Sequence, residues 1–107
     1  MPLVPHDSAT PVKMFPGVVR RTLTFGERLM LVEVTLDDGA VVPMHTHPHE
    51  QTGYLVAGRM TFELAGERRE LGPGDCWLVP SNLPHQVTAL APCVCVDIFS
   101  PPREEYR

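Results

Sequence analysis

The sequence predicts an all-β domain, a sandwich or barrel of about nine short strands. Three observations carry this. No stretch of ten or more residues has helical apolar spacing. Short runs of alternating or β-branched residues recur instead, and turn residues separate them. Twelve prolines and eight glycines in 107 residues are spread along the chain, so they punctuate short elements and do not mark a disordered tract.

Taken in order, VVRRTLTF (18–25) reads as a strand ended by Gly26 and Glu27. RLMLVEVTL (28–36) is a longer strand, and Asp37-Asp38-Gly39 turns the chain where glycine can take positive φ. VVPMHTH (41–47) and QTGYLVA (51–57) follow. MTFELA (60–65) alternates Met60, Phe62 and Leu64 against Thr61 and Glu63, then folds through Gly66-Glu67 onto RREL (68–71). After the Gly72-Pro73-Gly74-Asp75 turn come CWLVP (76–80), HQVTAL (85–90) and CVCVDIFS (93–100). Residues 1–14 are expected as an arm, mobile or paired with a partner subunit, 15–100 as the barrel, and 101–107 as a tail, irregular or forming one short turn.

The length suits one domain with one core. A net charge of −4, with no basic run beyond Arg20-Arg21, argues against nucleic acid as the partner. The N-terminus lacks a charged segment followed by an apolar stretch, and no run approaches the roughly 20 apolar residues of a membrane helix. A cytoplasmic protein with no membrane partner is the expectation. Cys76, Cys93 and Cys95 are an odd count without disulfide-rich spacing and read as reduced thiols, with Cys93 and Cys95 sharing one strand face as small core residues. Trp77 and Tyr54 read as packing residues, Tyr54 in the core or an interface, and His6 is given no role.

Chemistry concentrates in HTHPHEQ (45–51), which holds three of the five histidines. Alternate residues of a strand share a face, so His45 and His47 are neighbours and can bind one metal ion. Pro48 forces a turn, and a third ligand can come from just beyond it: His49, Glu50 or Gln51. His85, at the start of a later strand, is the candidate for a fourth. The alternative is a solvated, histidine-rich loop. Density, strand spacing and the remote histidine together favour one divalent metal.

At these residues the chain resembles the cupin superfamily. Gly39, His45, His47, Gln51 and Gly58 match its first motif, G-x5-H-x-H-x3/4-E-x6-G, with glutamine in the glutamate position. Gly74, Pro80 and His85 match the second, G-x5-P-x-G-x2-H-x3-N. Asn82 stands for a glycine there, in a role asparagine tolerates, and Ala89 stands for the final asparagine. The resemblance implies a jelly-roll β-barrel, the double-stranded β-helix, with a metal held by His45, His47, Gln51 and His85. Glu50 and His49 would then lie just behind the ligands or at the rim, and a one-residue slip in register would exchange Glu50 for Gln51. Nickel, zinc, iron and manganese all suit such a site.

GVVRRTLTFGERLMLVEVTL, HTHPHEQTGYLVAG and the terminal VDIFSPPREEY further resemble the pectin-degradation cupins of KdgF type. In that group a D-x-F-x-P-x-R pattern closes the chain, matched here by Asp97, Phe99, Pro101 and Arg103. The resemblance implies conversion of 4,5-unsaturated uronate monosaccharides, released by polysaccharide lyases, to the linear keto form.

The residues suit that chemistry. If Cys93, Cys95, Asp97 and Phe99 face the lumen, Asp97 can shuttle protons, and the outward Val94, Val96 and Ile98 predict a homodimer. The reverse assignment would bury the valines and isoleucine and leave Asp97 in solvent. Arg103 is the candidate to hold the uronate carboxylate, and Arg20 or Arg21 could assist or serve as surface charge. Neutral Gln51 leaves the full charge on the ion, which favours acid–base over oxygen chemistry. The rival expectations are a cupin dioxygenase, needing a redox metal and oxygen, and a non-catalytic cupin that binds a sugar or other metabolite.

Overall fold

A computed structural model describes residues 3–107. Ten strands run β1 Pro11–Phe15, β2 Val18–Phe25, β3 Met30–Leu36, β4 Val41–His45, β5 Glu50–Ala57, β6 Met60–Leu64, β7 Glu67–Leu71, β8 Cys76–Val79, β9 His85–Ala89 and β10 Cys93–Ser100. They form two antiparallel sheets in a jelly roll. One has the order β1-β2-β3-β10-β5-β8, the other β4-β9-β6-β7. Single 3-10 turns lie at His6–Ser8 and Glu104–Tyr106. No helix among the described residues is long and apolar enough to cross a membrane.

The alternation read from the sequence becomes burial. In β5, Gln51, Gly53 and Leu55 are buried while Glu50, Thr52, Tyr54 and Val56 are exposed. In β10, Cys93, Cys95, Asp97 and Phe99 face inward, and Val94, Val96 and Ile98 face out. The core between the sheets is built on Val18, Leu55, Met60 and Val79, all at 0% exposure. Met30, Val32, Phe99 and Tyr106 form a second cluster beside the tail.

Three differences from the sequence expectations have simple causes. Residues 11–14, assigned to the arm, belong to β1 and pair with β2 in the same chain. PVKMF starts at Pro11 and runs up to Pro16, and its alternation covers only Val12, Lys13 and Met14, too short a run to mark an edge strand. Residues 1 and 2 of the arm lie outside the described residues; in the rest, Arg21 Nη1 donates to Ala9 O at 3.0 Å and His6 Nε2 lies 2.9 Å from Glu33 Oε1, which holds it against β2 and β3. Third, β4 stops at His45, two residues short of the alternating run, with a break in register between Val42 and His45. Pro43 cannot donate to a ladder, and β4 tolerates it because it is an edge strand.

Candidate metal centre

His45 and His85 are cross-strand partners on β4 and β9. Their ring centroids lie 4.1 Å apart. His47 follows β4 in the turn to β5, and its ring lies 4.9 Å from that of His85 and 5.6 Å from that of His45. One nitrogen from each of the three falls within 4.8 Å of the others. Asn82 sits at φ 65° in the turn that delivers His85, and its N–H donates to His47 O at 2.8 Å. The left-handed position that the motif gives to glycine is thus held here by asparagine.

Tautomers follow from the backbone. Nδ1 of His45, His47 and His85 lies 2.8, 3.0 and 2.9 Å from the carbonyl oxygens of Pro43, His49 and Leu83. A carbonyl only accepts, so each Nδ1 carries the proton and each Nε2 presents a lone pair to the lumen. Burial lowers the pKa of His47, with the Arg103 charge adding to the effect, and it pushes His85 down to about 4. Both shifts favour neutral imidazoles at His47 and His85.

Gln51 completes the set from the opposite sheet. Its Nε2 donates to Asp97 Oδ1 at 2.8 Å, which turns its Oε1 toward His47 Nε2 at 3.1 Å. With the His47 proton on Nδ1, two lone-pair atoms face each other there. His85 Nε2 is buried without a partner among the described residues. Converging acceptors with no donor between them are what a cation satisfies, and neutral imidazole with amide oxygen suits a divalent transition metal. The residues fit the ion that the sequence suggests.

The other predicted residues divide. Asp97 is inward and 7% exposed, and burial pushes its carboxyl up to about 6 against two hydrogen bonds that oppose the shift. Arg103, its side chain 11% exposed, borders the same cavity as His45, Gln51, His85 and Asp97. Its guanidinium lies over the rings of Tyr106 and Phe99, 4.1 and 5.2 Å from their centroids, and its Nε has no hydrogen-bond partner among the described residues. The cavity encloses about 60 Å³. That is room for about two water molecules.

His49 lies beside the cluster, its ring 5.7 Å from that of His47, with Nδ1 buried and unpaired among the described residues. Glu50, expected behind the ligands or at the rim, is exposed on the outer face of β5, because the period of two that turns Gln51 inward turns its neighbour out. Arg20 stacks on Tyr106 at 4.3 Å and donates to Glu105 O, while Arg21 binds the arm, so both brace chain segments. Tyr54 is 49% exposed and is not a core residue.

Sequence reasoning missed one contact. Trp77 packs on Phe62, with ring centroids 5.2 Å apart, and its Nε1 donates to Asp97 Oδ1 at 2.8 Å. Only strand register could have shown this, because the two residues lie 20 positions apart.

Comparison with known proteins agrees with this geometry. The cupin domain family matches residues 32–99. The chain is 34% identical over 103 residues to the pectin degradation protein KdgF of Dickeya dadantii, covering 94% of each chain. It is similar to the solved structure of KdgF from Halomonas sp., with TM-score 0.92 and 36% identity over 98% of this chain and 97% of that one. An RmlC-like cupin from Shewanella frigidimarina matches at TM-score 0.90 and 29% identity, over 95% of this chain and 92% of that one. The chain belongs to the cupin family, and within it to the small single-domain cupins that resemble KdgF.

Proposed function

We propose that this cupin is a metal-dependent enzyme of pectin breakdown that converts 4,5-unsaturated uronate monosaccharides to their linear keto form. The observation that carries the reading is the convergence of Asp97, Arg103 and two members of the three-histidine cluster, His45 and His85, on one cavity, in a chain similar over 94% of its length to a pectin degradation protein.

The reaction is an isomerisation. The sugar ring opens at its hemiacetal carbon, the enol oxygen gives up a proton, and the neighbouring alkene carbon gains one. No oxidant or reductant is needed. His45, His47, Gln51 and His85 would hold one divalent ion, nickel, zinc, iron or manganese. When bound, such an ion supplies Lewis acidity toward substrate oxygens. Asp97 handles the proton, since burial brings its carboxyl to about 6, near the neutral range in which proton transfer in both directions is efficient. Arg103 holds the substrate carboxylate at the cavity edge, its Nε without a hydrogen-bond partner among the described residues and 3.6 Å from Glu105 Oε1. About 60 Å³ admits the reacting atoms and not the whole sugar, so the rest of the ring sits outward, toward Arg103.

We also propose a homodimer formed through the outer face of β10, β5 and β8. Register sets Val96, Tyr54 and Cys76 in one row and Ile98, Thr52 and Leu78 in the next. Tyr54, Leu78 and Ile98 are 49, 56 and 39% exposed, a contiguous apolar patch on a small protein. The three cysteines form no disulfide among the described residues, which suits the reducing cytoplasm as the protein's location.

The test is proton NMR of the metal-loaded protein with freshly lyase-released unsaturated galacturonate. The vinyl signal should decay faster than without enzyme, and Asp97→Ala and His47→Ala should each abolish the acceleration. No acceleration with stoichiometric metal present would overturn the substrate assignment.

A further inference from the structure

Asp97, Gly53 and Trp77 stand side by side on three neighbouring strands, β10, β5 and β8. All three face the lumen. Adjacent strands are about 4.8 Å apart, so the outer two residues are separated by about 10 Å of backbone. A carboxylate spans little of that distance, whereas an indole spans most of it, provided nothing rises from the residue between. Gly53 meets this condition. A Cβ built there would overlap both Trp77 Nε1 and Asp97 Oδ1. Gly53 lies in ordinary extended backbone, so its purpose is space and not conformational freedom.

Both donors reach the same oxygen. Trp77 Nε1 and Gln51 Nε2 each lie 2.8 Å from Asp97 Oδ1, and neither bonds Oδ2. Two donors on one oxygen hold the plane of the carboxylate and leave Oδ2 without a protein donor among the described residues. We infer that Trp77, admitted by Gly53, is a positioning residue that fixes the Asp97 carboxylate so that Oδ2 is the oxygen that handles the proton. The inference rests on the reading of Asp97 as the proton-transfer group. A carboxylate released from one of its two tethers would sample unproductive orientations. Misplacement of a reacting group by about 1 Å can cost on the order of 100-fold in rate.

Trp77 is the single tryptophan, so one indole N–H resonance reports the bond directly. In metal-loaded protein labelled with nitrogen-15, Asp97→Ala should move that resonance upfield and remove its protection from solvent exchange. Trp77→Phe keeps the ring against Phe62 and removes only the donor. It should lower kcat on the order of 100-fold, with KM within about twofold and metal stoichiometry unchanged. Gly53→Ala should lower kcat similarly, by driving the indole away. A merely structural tryptophan would leave the split between kcat and KM unmoved. Wild-type kcat in Trp77→Phe, or an indole resonance indifferent to Asp97→Ala, overturns the inference. If Trp77→Phe does not fold, or if the wild-type protein does not turn over uronates, the indole resonance in Asp97→Ala decides alone. Full activity in Asp97→Ala would instead overturn the role given to Asp97, whatever the indole shows.

Discussion

On β10, β5 and β8, three strands of one sheet, a polar row lies within the apolar inner face and an apolar patch lies on the outer one. Toward the lumen it presents Asp97, Gln51 and the indole N–H of Trp77, all buried. Toward the outside it presents Tyr54, Leu78 and Ile98, at 39 to 56% exposure. The other sheet has a conventional outer surface, with ion pairs Arg59–Glu70, Glu67–Arg69 and Glu63–Arg68 facing water. Buried polar groups are tolerated only when paired, and the inner face pairs them in a chain from Trp77 to Asp97 to Gln51 to His47. With the His47 proton on Nδ1 the last link joins two acceptors, which a cation between them would satisfy. The outer face has the opposite need, for an apolar surface against it. One sheet thus sets two separate demands, which the proposed ion and the proposed dimer would meet.

Replacing residues on either face breaks the contrast to differing degrees. The largest effect is expected from His47→Ala on the inner side. Metal retained after dialysis should fall at least about tenfold by elemental analysis, while Tyr54→Ala on the outer side should leave it unchanged. Equal retention in both would remove the link between the histidine cluster and the ion. Next come two adjacent residues of β5. Leu55 is at 0% exposure and Val56 at 49%. Leu55→Ala should cost about 2–5 kcal/mol in urea unfolding. Val56→Ala should cost no more than about 0.5 kcal/mol in a monomer, and a larger cost that grows with protein concentration would support the dimer.

A pH experiment sharpens the cost of the inner face. In chelator-treated protein, Asp97 titrates at about 6 folded, against an ordinary value of 3.8. The folded state therefore holds this proton more tightly than the unfolded one. Its contribution to stability is full below pH 3.8, falls as pH rises through about 6, and is absent above that. Asp97→Asn should then be more stable than the parent by about 3 kcal/mol at pH 8, with the difference vanishing near pH 3.5. A difference independent of pH would mean that the carboxyl is not penalised by burial. The smallest effect on each chain is expected from Leu78→Lys combined with Ile98→Lys. Sedimentation should shift from dimer to monomer, with turnover of each subunit unchanged. A monomeric parent protein would rule out this interface.

Much of this was legible in one dimension because the side-chain period of a strand is two. Nine of the ten strands follow from alternation and turn residues, and the same alternation groups Cys93, Cys95, Asp97 and Phe99 of β10 on one face; His45 and His47 do meet, but through the turn after β4 and not through a continued strand. The edge strand β1 was missed, since between Pro11 and Pro16 its hydrogen bonds to β2 define it and not its pattern. The outward turn of Glu50 and the exposure of Tyr54 were open for a related reason. Alternation says which residues share a face, and only packing says which face is inside.

The sequence by itself determined nine of the ten strands, which residues share a face, and the residue types that converge as candidate donors for a metal. These are local properties, set by backbone periodicity and by turn residues at fixed offsets. Tertiary structure alone decided that Gln51 turns its oxygen toward His47, that three Nδ1 protons go to backbone carbonyls, and that Trp77 reaches across Gly53 to Asp97. Each of these depends on inter-strand register or on the path of a turn. Both arise only when strands distant in sequence are hydrogen-bonded side by side.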